Sequence, residues 1–467
     1  MNKFYVTTPI YYVNDVPHVG HVYTILAADI LARHFSSKHG KNNVFFLTGT
    51  DEHGFKVAQA AQEHGKTPKQ FVDEISQLFK ESWENLNISN DFFIRTTDER
   101  HEKIAQNILQ KIYDRGFIYE DTYKGLYCVG CERFLAENDL VDGRCPLHPN
   151  KEPAYQEEKN YFFKLKEFVP EILEKIENDS YEILPKARKN EVVSKLKQGV
   201  ENVSISRAGV SWGIPVPWDN SQTIYVWVEA LINYYSATQF LEGREKFWPA
   251  DLHLMAKDIL WFHAVIWPAL LLAADLPLPK ALFAHGFFTI NGQKMSKSLG
   301  NVISPQELID QFGVDGTRYL LMSEYPFGND GDLSLEKFKQ RYNSDLANGL
   351  GNLASRVARL CEKVDNFSIE ENLKISTSVS NLIEEYKFDE ALKTIQASIA
   401  EADKIVNEKK PWTLEGDGLK NVLSDLVSRI RQVAKSLESF MPETSAKLWQ
   451  QFGAEKISSG ASLFPRK

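Results

Sequence analysis

The 467-residue chain holds only four cysteines. Three of them, Cys128, Cys131 and Cys145, fall in one short segment. That is too few and too uneven for a disulfide framework, and it points instead to metal ligation in a reducing compartment. Long apolar runs are also missing. The most hydrophobic stretch, "ILWFHAVIWPALLLAADLPLP" from Ile259, contains His263, Pro268 and Asp275 and reads as a buried helix rather than a membrane span. The first residues, "MNKFYVTTPI", lack a basic region followed by an apolar core. No secretory signal is expected there, and a cytoplasmic address is the default. Positive charge is not in excess: the formal net charge is -9. This weakens any case for wholesale coating of nucleic acid, although phosphate recognition needs only a local basic surface. Internal repeats and low-complexity tails are absent as well.

What is present describes an ordinary globular protein. Hydrophobic residues make up 43% and charged residues 25%, with a mean hydropathy of -0.34. The length exceeds that at which single cores stop growing, so two to four domains are expected. Residues 4–10 ("FYVTTPI") and 44–48 ("VFFLT") are short β-rich runs, each followed by turn residues and a helical pattern. The helix "FKVAQAAQEHG" stops at Gly65, and Thr67 with Pro68 supplies an N-cap and a first-turn proline for the next. Strands alternating with helices predict a parallel sheet with helices on its faces.

From Phe117 the texture becomes turn-rich and cysteine-bearing, which marks an insertion. The β/α texture resumes at "TIYVWVEALINYY", "DLHLMAKDILWFHAVIWPALLLA" and "ALFAHGFFTINGQKMSKSLGN". After Ser334 apolar residues step at helical spacing: Leu346, Leu350, Leu353, Val357 and Leu360, then Val422, Leu423, Leu426, Val427, Ile430, Val433, Leu437 and Phe440. A helical bundle therefore closes the sequence, with "STSVSNL" near Ser376 as a loop-like lapse inside it.

Three motifs carry chemistry. "PHVGH" sets His18 and His21 around Gly20 at a strand-to-helix junction. A helix N-terminus suits anionic phosphate, and Gly20 lets a base or phosphate approach the backbone. A metal, with Asp15 and Asn14 as further ligands, and two plain surface histidines are the alternatives. "NGQKMSKSLGN" puts Lys294 and Lys297 in a glycine-bounded, Ser/Lys-rich segment, the composition of a mobile loop that closes over a polyphosphate. Alone it could be a solvated basic loop, but the two motifs together are far more specific than either. The third motif reads Cys128-x2-Cys131, then Cys145-x2-His148. Three thiolates and an imidazole on two short ligand pairs complete a closed tetrahedral Zn²⁺ shell, structural because no position is left open for water.

"PHVGH" with "KMSKS" resembles the paired signatures of class I aminoacyl-tRNA synthetases. "TTPIYYVNDVPHVGH", "TGTDEHG", "YVWVEALINYY", "KDILWFHAVIWPA", "NGQKMSKSLGN" and "NGLGNLASR" together resemble the methionyl-tRNA synthetases and span most of the chain in that family's order. The resemblance implies an α/β fold: a Rossmann-type parallel-sheet catalytic domain split by a zinc-knuckle insertion, followed by an α-helical bundle that binds the anticodon. The expected boundaries are 1–116 and 221–290 for the two catalytic halves and 117–220 for the insertion. They continue with 291–340 for the KMSKS loop and stem-contact region and 341–467 for the bundle.

The resemblance also implies the roles of residues. His18, Gly20, His21, Asp258, Lys294 and Lys297 would bind ATP, with both histidines and both lysines in the chemistry. Ile10, Tyr12, Asp51, Trp227, Ala230, Leu231, Tyr234, Ile259 and His263 would receive methionine, Asp51 taking the ammonium group. A thioether favours aromatic edges, which suits such a lining. Arg207 resembles an active-site arginine. Asn352, Arg356 and Trp412 match positions that read the CAU anticodon, and stacking on aromatics is how unstacked bases are held. The implied partners are L-methionine, ATP with Mg²⁺ and tRNA(Met), including the initiator. One structural Zn²⁺ per chain is expected, no membrane association, and a monomer, since no dimerisation module follows "FPRK".

Rival classes separate on sequence features. Synthetases for leucine, valine or isoleucine carry a large editing insertion, and the stretch from Phe117 to Ser221 is too short for one plus the knuckle. A small-molecule adenylyltransferase would not need the bundle. A non-catalytic tRNA-binding protein would keep the bundle and lose the lysine loop, which is intact.

Overall fold

The computed structural model describes residues 3–128, 133–135, 140–146, 149–290, 292–294, 302–368 and 373–467. Six strands form its central sheet: β1 (Phe4–Tyr12), β2 (Val44–Asp51), β3 (Phe92–Arg95), β4 (Glu182–Leu184), β5 (Leu252–Ala256) and β6 (Ala281–His285). Their order is β3-β2-β1-β5-β6-β4 and every pairing is parallel. Val6 pairs with Phe46 on one side and Leu252 on the other. The alternation along each strand sorts side chains to two cores. Phe4, Val6, Val44 and Phe46 join one cluster, and Tyr5, Phe45 and Leu47 the other. Every residue of β2 is buried, as expected of a strand covered on both faces.

Helix α1 (Val19–His39) follows β1 and is apolar nearly all round, because it lies between the sheet and the bundle. The next two helices bear out the sequence signals. One spans Phe55–Glu63, with Gly65 just beyond it at φ +66°. The other spans Pro68–Asn85, with Thr67 and Gln70 forming a reciprocal cap.

The insertion builds its own antiparallel sheet from Arg133–Leu135, Ile118–Cys128, Ala154–Phe163 and Val203–Ser204. The 117–220 segment also supplies β4, the edge strand of the central sheet. That is a difference from the expected insertion. Three residues, "EIL", are too short to show a strand period before they pair.

The chain closes in helices: Tyr342–Gly351 and Asn352–Cys361 run on without a break, followed by Thr377–Glu384, Phe388–Lys409, Gly416–Leu437 and Pro442–Phe452. The expected lapse at "STSVSNL" is itself a helix start. The Ser376 hydroxyl accepts from the Val379 N–H, so the serines cap a helix instead of interrupting the bundle.

Candidate active site

The chain leaves β1 toward β2 and β3 on one side and returns through β5 and β6 on the other. The strand order therefore reverses between β1 and β5, and ligands of open α/β sheets collect outside the carboxyl ends of strands at such a point. A cleft of about 590 Å³ lies there, within the range of small-molecule sites. A register shift between Thr7 and Ile10 in β1, at Pro9, which cannot donate to a ladder, turns the end of the strand toward it. Ile10 and Tyr12 line the cleft in consequence.

The histidines stand at the N-terminus of α1. The Nδ1 of His18 accepts from the Gly20 N–H at 3.1 Å, and the Nδ1 of His21 accepts from the His18 N–H at 3.3 Å. The two rings stack at 3.8 Å. With Nδ1 engaged by the backbone, each neutral ring carries its proton on Nε2 and offers a donor. Burial, and then the neighbouring His18, push the His21 pKa well below its ordinary value, so it is a neutral donor. His18, Gly20, His21 and Asp258 all line the cleft.

The cleft also takes in Asp51, at the end of β2, and an aromatic wall. Trp227 stacks on Phe262 at 4.2 Å and 11°. The Tyr234 hydroxyl donates to the His263 Nε2 at 2.8 Å, while the His263 Nδ1–H donates to the Ile259 carbonyl at 3.0 Å. Burial brings the His263 pKa down to about 4. Both nitrogens of this neutral ring are engaged by protein. The Tyr5 hydroxyl, bonded to the Tyr234 carbonyl, and the Tyr181 hydroxyl, bonded to the His263 carbonyl, hold the pair from behind. All nine residues expected to receive methionine lie in this one cleft: Ile10, Tyr12, Asp51, Trp227, Ala230, Leu231, Tyr234, Ile259 and His263.

Arg207 does not line it. Its guanidinium is buried 3.9 Å over the Tyr225 ring and donates to the Ser204 hydroxyl and the Ser206 carbonyl, beside a small pocket that shares Val226 with the cleft. Lys297 and the Lys294 side chain lie outside the described residues. The Lys294 backbone pairs with Thr289.

The sequence reading missed Lys56, Lys195, Trp261, Phe262 and His285, which line the cleft too. Phe262 had a usable signal, lying three residues from Ile259. Lys195 had none: it belongs to a basic surface helix, Lys186–Gln198, and reaches the cleft with its ammonium 4.5 Å over Trp261.

In the insertion, Cys128 and Cys145 are both buried and form one small cluster with Leu135. Cys131 and His148 lie outside the described residues, and among the described residues no group of three metal-ligating side chains occurs. The two described thiols fit a zinc knuckle, since 17 positions of chain bring both sulfur donors into one buried spot. In the bundle, Arg356 donates to Asp403 at 2.6 Å and to Asn407 at 2.8 Å, on the helix Phe388–Lys409. Asn352 opens the helix that carries Arg356 and is exposed. Trp412, three residues past the end of Phe388–Lys409, is 50% exposed rather than packed away.

A profile of the family described as tRNA synthetases class I (M) matches residues 4–152 and 148–358. The methionine-tRNA ligase of Clostridium acetobutylicum is 43% identical to this chain, over 99% of it and 78% of the relative. That of Streptomyces coelicolor is 41% identical, over 97% of this chain and 90% of the relative. Among solved structures, the Mycobacterium tuberculosis methionyl-tRNA synthetase in complex with methionyl-adenylate superposes with a TM-score of 0.92 at 35% identity and full coverage of both chains.

Proposed function

The chain belongs to the class I tRNA synthetases and is a methionine-tRNA ligase; on that premise we propose how its residues divide the work. The observation that carries the assignment is the single cleft in which the neutral histidine donors, Asp258 and the Tyr234–His263 wall meet. Asp51 takes the ammonium group. Ile10, Tyr12, Trp227, Ala230, Leu231, Tyr234, Ile259 and His263 enclose the thioether side chain, an apolar and polarizable group that gains from aromatic neighbours.

The methionine carboxylate then attacks the α-phosphorus of ATP in line. The bond to the bridging oxygen breaks, and pyrophosphate leaves methionyl-adenylate behind. His18 and His21 donate from Nε2 to phosphate oxygens as charge grows on them, with the positive end of the α1 dipole beside them. Asp258 holds the ribose. Lys294 and Lys297 neutralise the departing pyrophosphate, which Mg²⁺ accompanies. In the second step the terminal ribose hydroxyl of tRNA(Met), elongator or initiator, attacks the carbonyl carbon and AMP departs. Most of the acceleration comes from placement and fixed dipoles.

Zn²⁺ would be held by Cys128, Cys131, Cys145 and His148, and it would cross-link the knuckle without entering the chemistry. The support is the buried pair of described thiols. Metal analysis of the purified chain should find one zinc. Asn352, Arg356 and Trp412 read the anticodon, and the exposed indole is the feature that favours this. The catalytic halves 1–116 and 221–290, the insertion 117–220, the loop region 291–340 and the bundle 341–467 remain our proposed division, with β4 lent to the sheet by the insertion. No helix among the described residues is long and apolar enough to cross a membrane; a cytoplasmic address is part of our proposal.

ATP-pyrophosphate exchange measured with each of the twenty amino acids tests the assignment of the cleft. Exchange with methionine is expected. Exchange with another amino acid and none with methionine would overturn the pocket roles.

A further inference from the structure

Behind the methionine wall, outside the cleft, lies a buried carboxylate that the two-step reaction does not use. Glu229 belongs to the helix Val226–Leu231, whose Trp227, Ala230 and Leu231 line the cleft, but its own side chain is fully buried and faces the other way. Its Oε1 lies 2.9 Å from the His53 Nδ1, and its Oε2 lies 3.1 Å from the His101 Nε2. His53 follows Asp51 by two residues. His101 belongs to the helix Glu99–Asp114, and its Nδ1 lies 2.8 Å from the hydroxyl of Ser236, on the helix Asn233–Phe240 that also carries Tyr234.

The strand end is anchored in turn. Arg95 grips Glu52 at 2.7 and 2.8 Å, the Glu52 N–H donates to Thr96, and the Trp212 indole donates to the Glu52 carbonyl. Glu102 stands 3.6 Å from the His53 Nε2.

Removing an ionised carboxylate from water is expensive, and apolar residues of the same volume would pack at less cost. What a buried, fully partnered charge can supply is a fixed geometry. Burial opposes charge on Glu229, and His53 with His101 outweighs it and holds the carboxyl below its ordinary value.

We propose that Glu229 is a positioning residue for the amino acid: gripped by His53 and His101, it fixes the Trp227 wall against the strand end that carries Asp51. A methionine must meet both at once, its ammonium group at Asp51 and its thioether at the wall. A slip between them therefore weakens amino-acid binding far more than nucleotide binding. The proposal rests on the cleft being the methionine site.

The test measures KM for methionine and for ATP, and kcat, in the exchange reaction of Glu229→Ala and Glu229→Gln. The alanine chain should show a methionine KM raised about tenfold, with ATP KM and kcat changed by less than about threefold. The glutamine amide can accept from one imidazole and donate to the other, so Glu229→Gln should return methionine KM to within about threefold of the parent. Equal rises in both KM values, a fall in kcat alone, no change, or a glutamine chain as damaged as the alanine one would each overturn the proposal. If the alanine chain does not fold, His101→Asn decides instead. It releases one carboxylate oxygen and should raise methionine KM, not ATP KM, by about threefold, and an unchanged ratio would sink the idea. If the parent chain exchanges on a different amino acid, the pocket assignment falls, and Glu229 is then judged on that amino acid's KM.

Discussion

Arg318 and Asp29 meet at 2.6 Å with both side chains fully buried. Asp29 lies in α1, the helix that His18 caps. Arg318 also donates to the carbonyls of Leu86, Ser439 and Phe440. The rod that begins at His18 and His21 is therefore tied by one guanidinium to the helical region near the end of the chain. A second tie runs from His34 and Lys38 of α1 to Glu384.

Loss of that guanidinium should be felt as stability. Burial would raise the Asp29 pKa, but Arg318 and Arg33 outweigh it and hold the carboxylate below its usual range. Arg318→Leu strands a buried charge, and urea denaturation should show a loss of about 3–5 kcal/mol. Adding Asp29→Asn should recover part of it. A loss under about 1 kcal/mol would mean that Arg33 and Ser89 suffice for Asp29.

Acid should weaken the fold well above the pH at which carboxylates titrate. Burial lowers the pKa of His285 to about 4, and its ring is bonded to Thr24 at 2.6 Å and to the Gly286 carbonyl at 2.7 Å. The unfolded imidazole, near 6.5, binds its proton first. Stability is therefore present above about 6.5 and is lost as pH falls toward about 4. In His285→Gln the loss across that window should be smaller by up to about 3 kcal/mol. Chemical denaturation at several pH values checks this, and parallel curves for the two chains would refute it.

Removing the Lys297 charge, proposed to neutralise the departing pyrophosphate, should slow chemistry and spare recognition. Lys297→Ala is expected to lower the rate of adenylate formation by about a hundredfold, as loss of an electrostatic contact made in the transition state does. Methionine affinity, read by equilibrium titration, should stay within about twofold. A selective loss of methionine binding would rule out the pyrophosphate role.

The exposed indole in the bundle makes the opposite separation. Trp412→Ala should weaken tRNA charging by about 1–3 kcal/mol of lost stacking, seen in KM for tRNA, while the exchange reaction is unchanged. A matching fall in both reactions would make Trp412 a structural residue.

Much of this architecture was legible because local chemistry repeats itself in the chain. The β-rich runs around Tyr5 and Phe46, the Thr67/Pro68 helix start and the helical steps from Val422 to Phe440 each act within a few residues, where side-chain direction follows from the backbone alone. The same locality holds for the residues that line the cleft. His18 and His21 lie three positions apart on one helix start, and Ile10 and Tyr12 end the strand before it. Short elements and distant partners left no such trace. β4 is three residues long, Ser376 looked like loop until its hydroxyl met the Val379 N–H, and Lys195 entered the cleft through the packing of a helix far from Trp261 in sequence.

The sequence by itself determined the class of fold and the family, because those follow from periodicity and from motifs of fixed spacing, and the side chains proposed to meet methionine and ATP came with the resemblance that those motifs carry. Only the tertiary structure decided which of them share one cleft, that Arg207 stands beside it, and that Glu229 is buried between His53 and His101, 176 and 128 positions away. A carboxylate is cheap in water and expensive in a core, and which of the two surrounds it depends on partners that no local stretch of sequence contains.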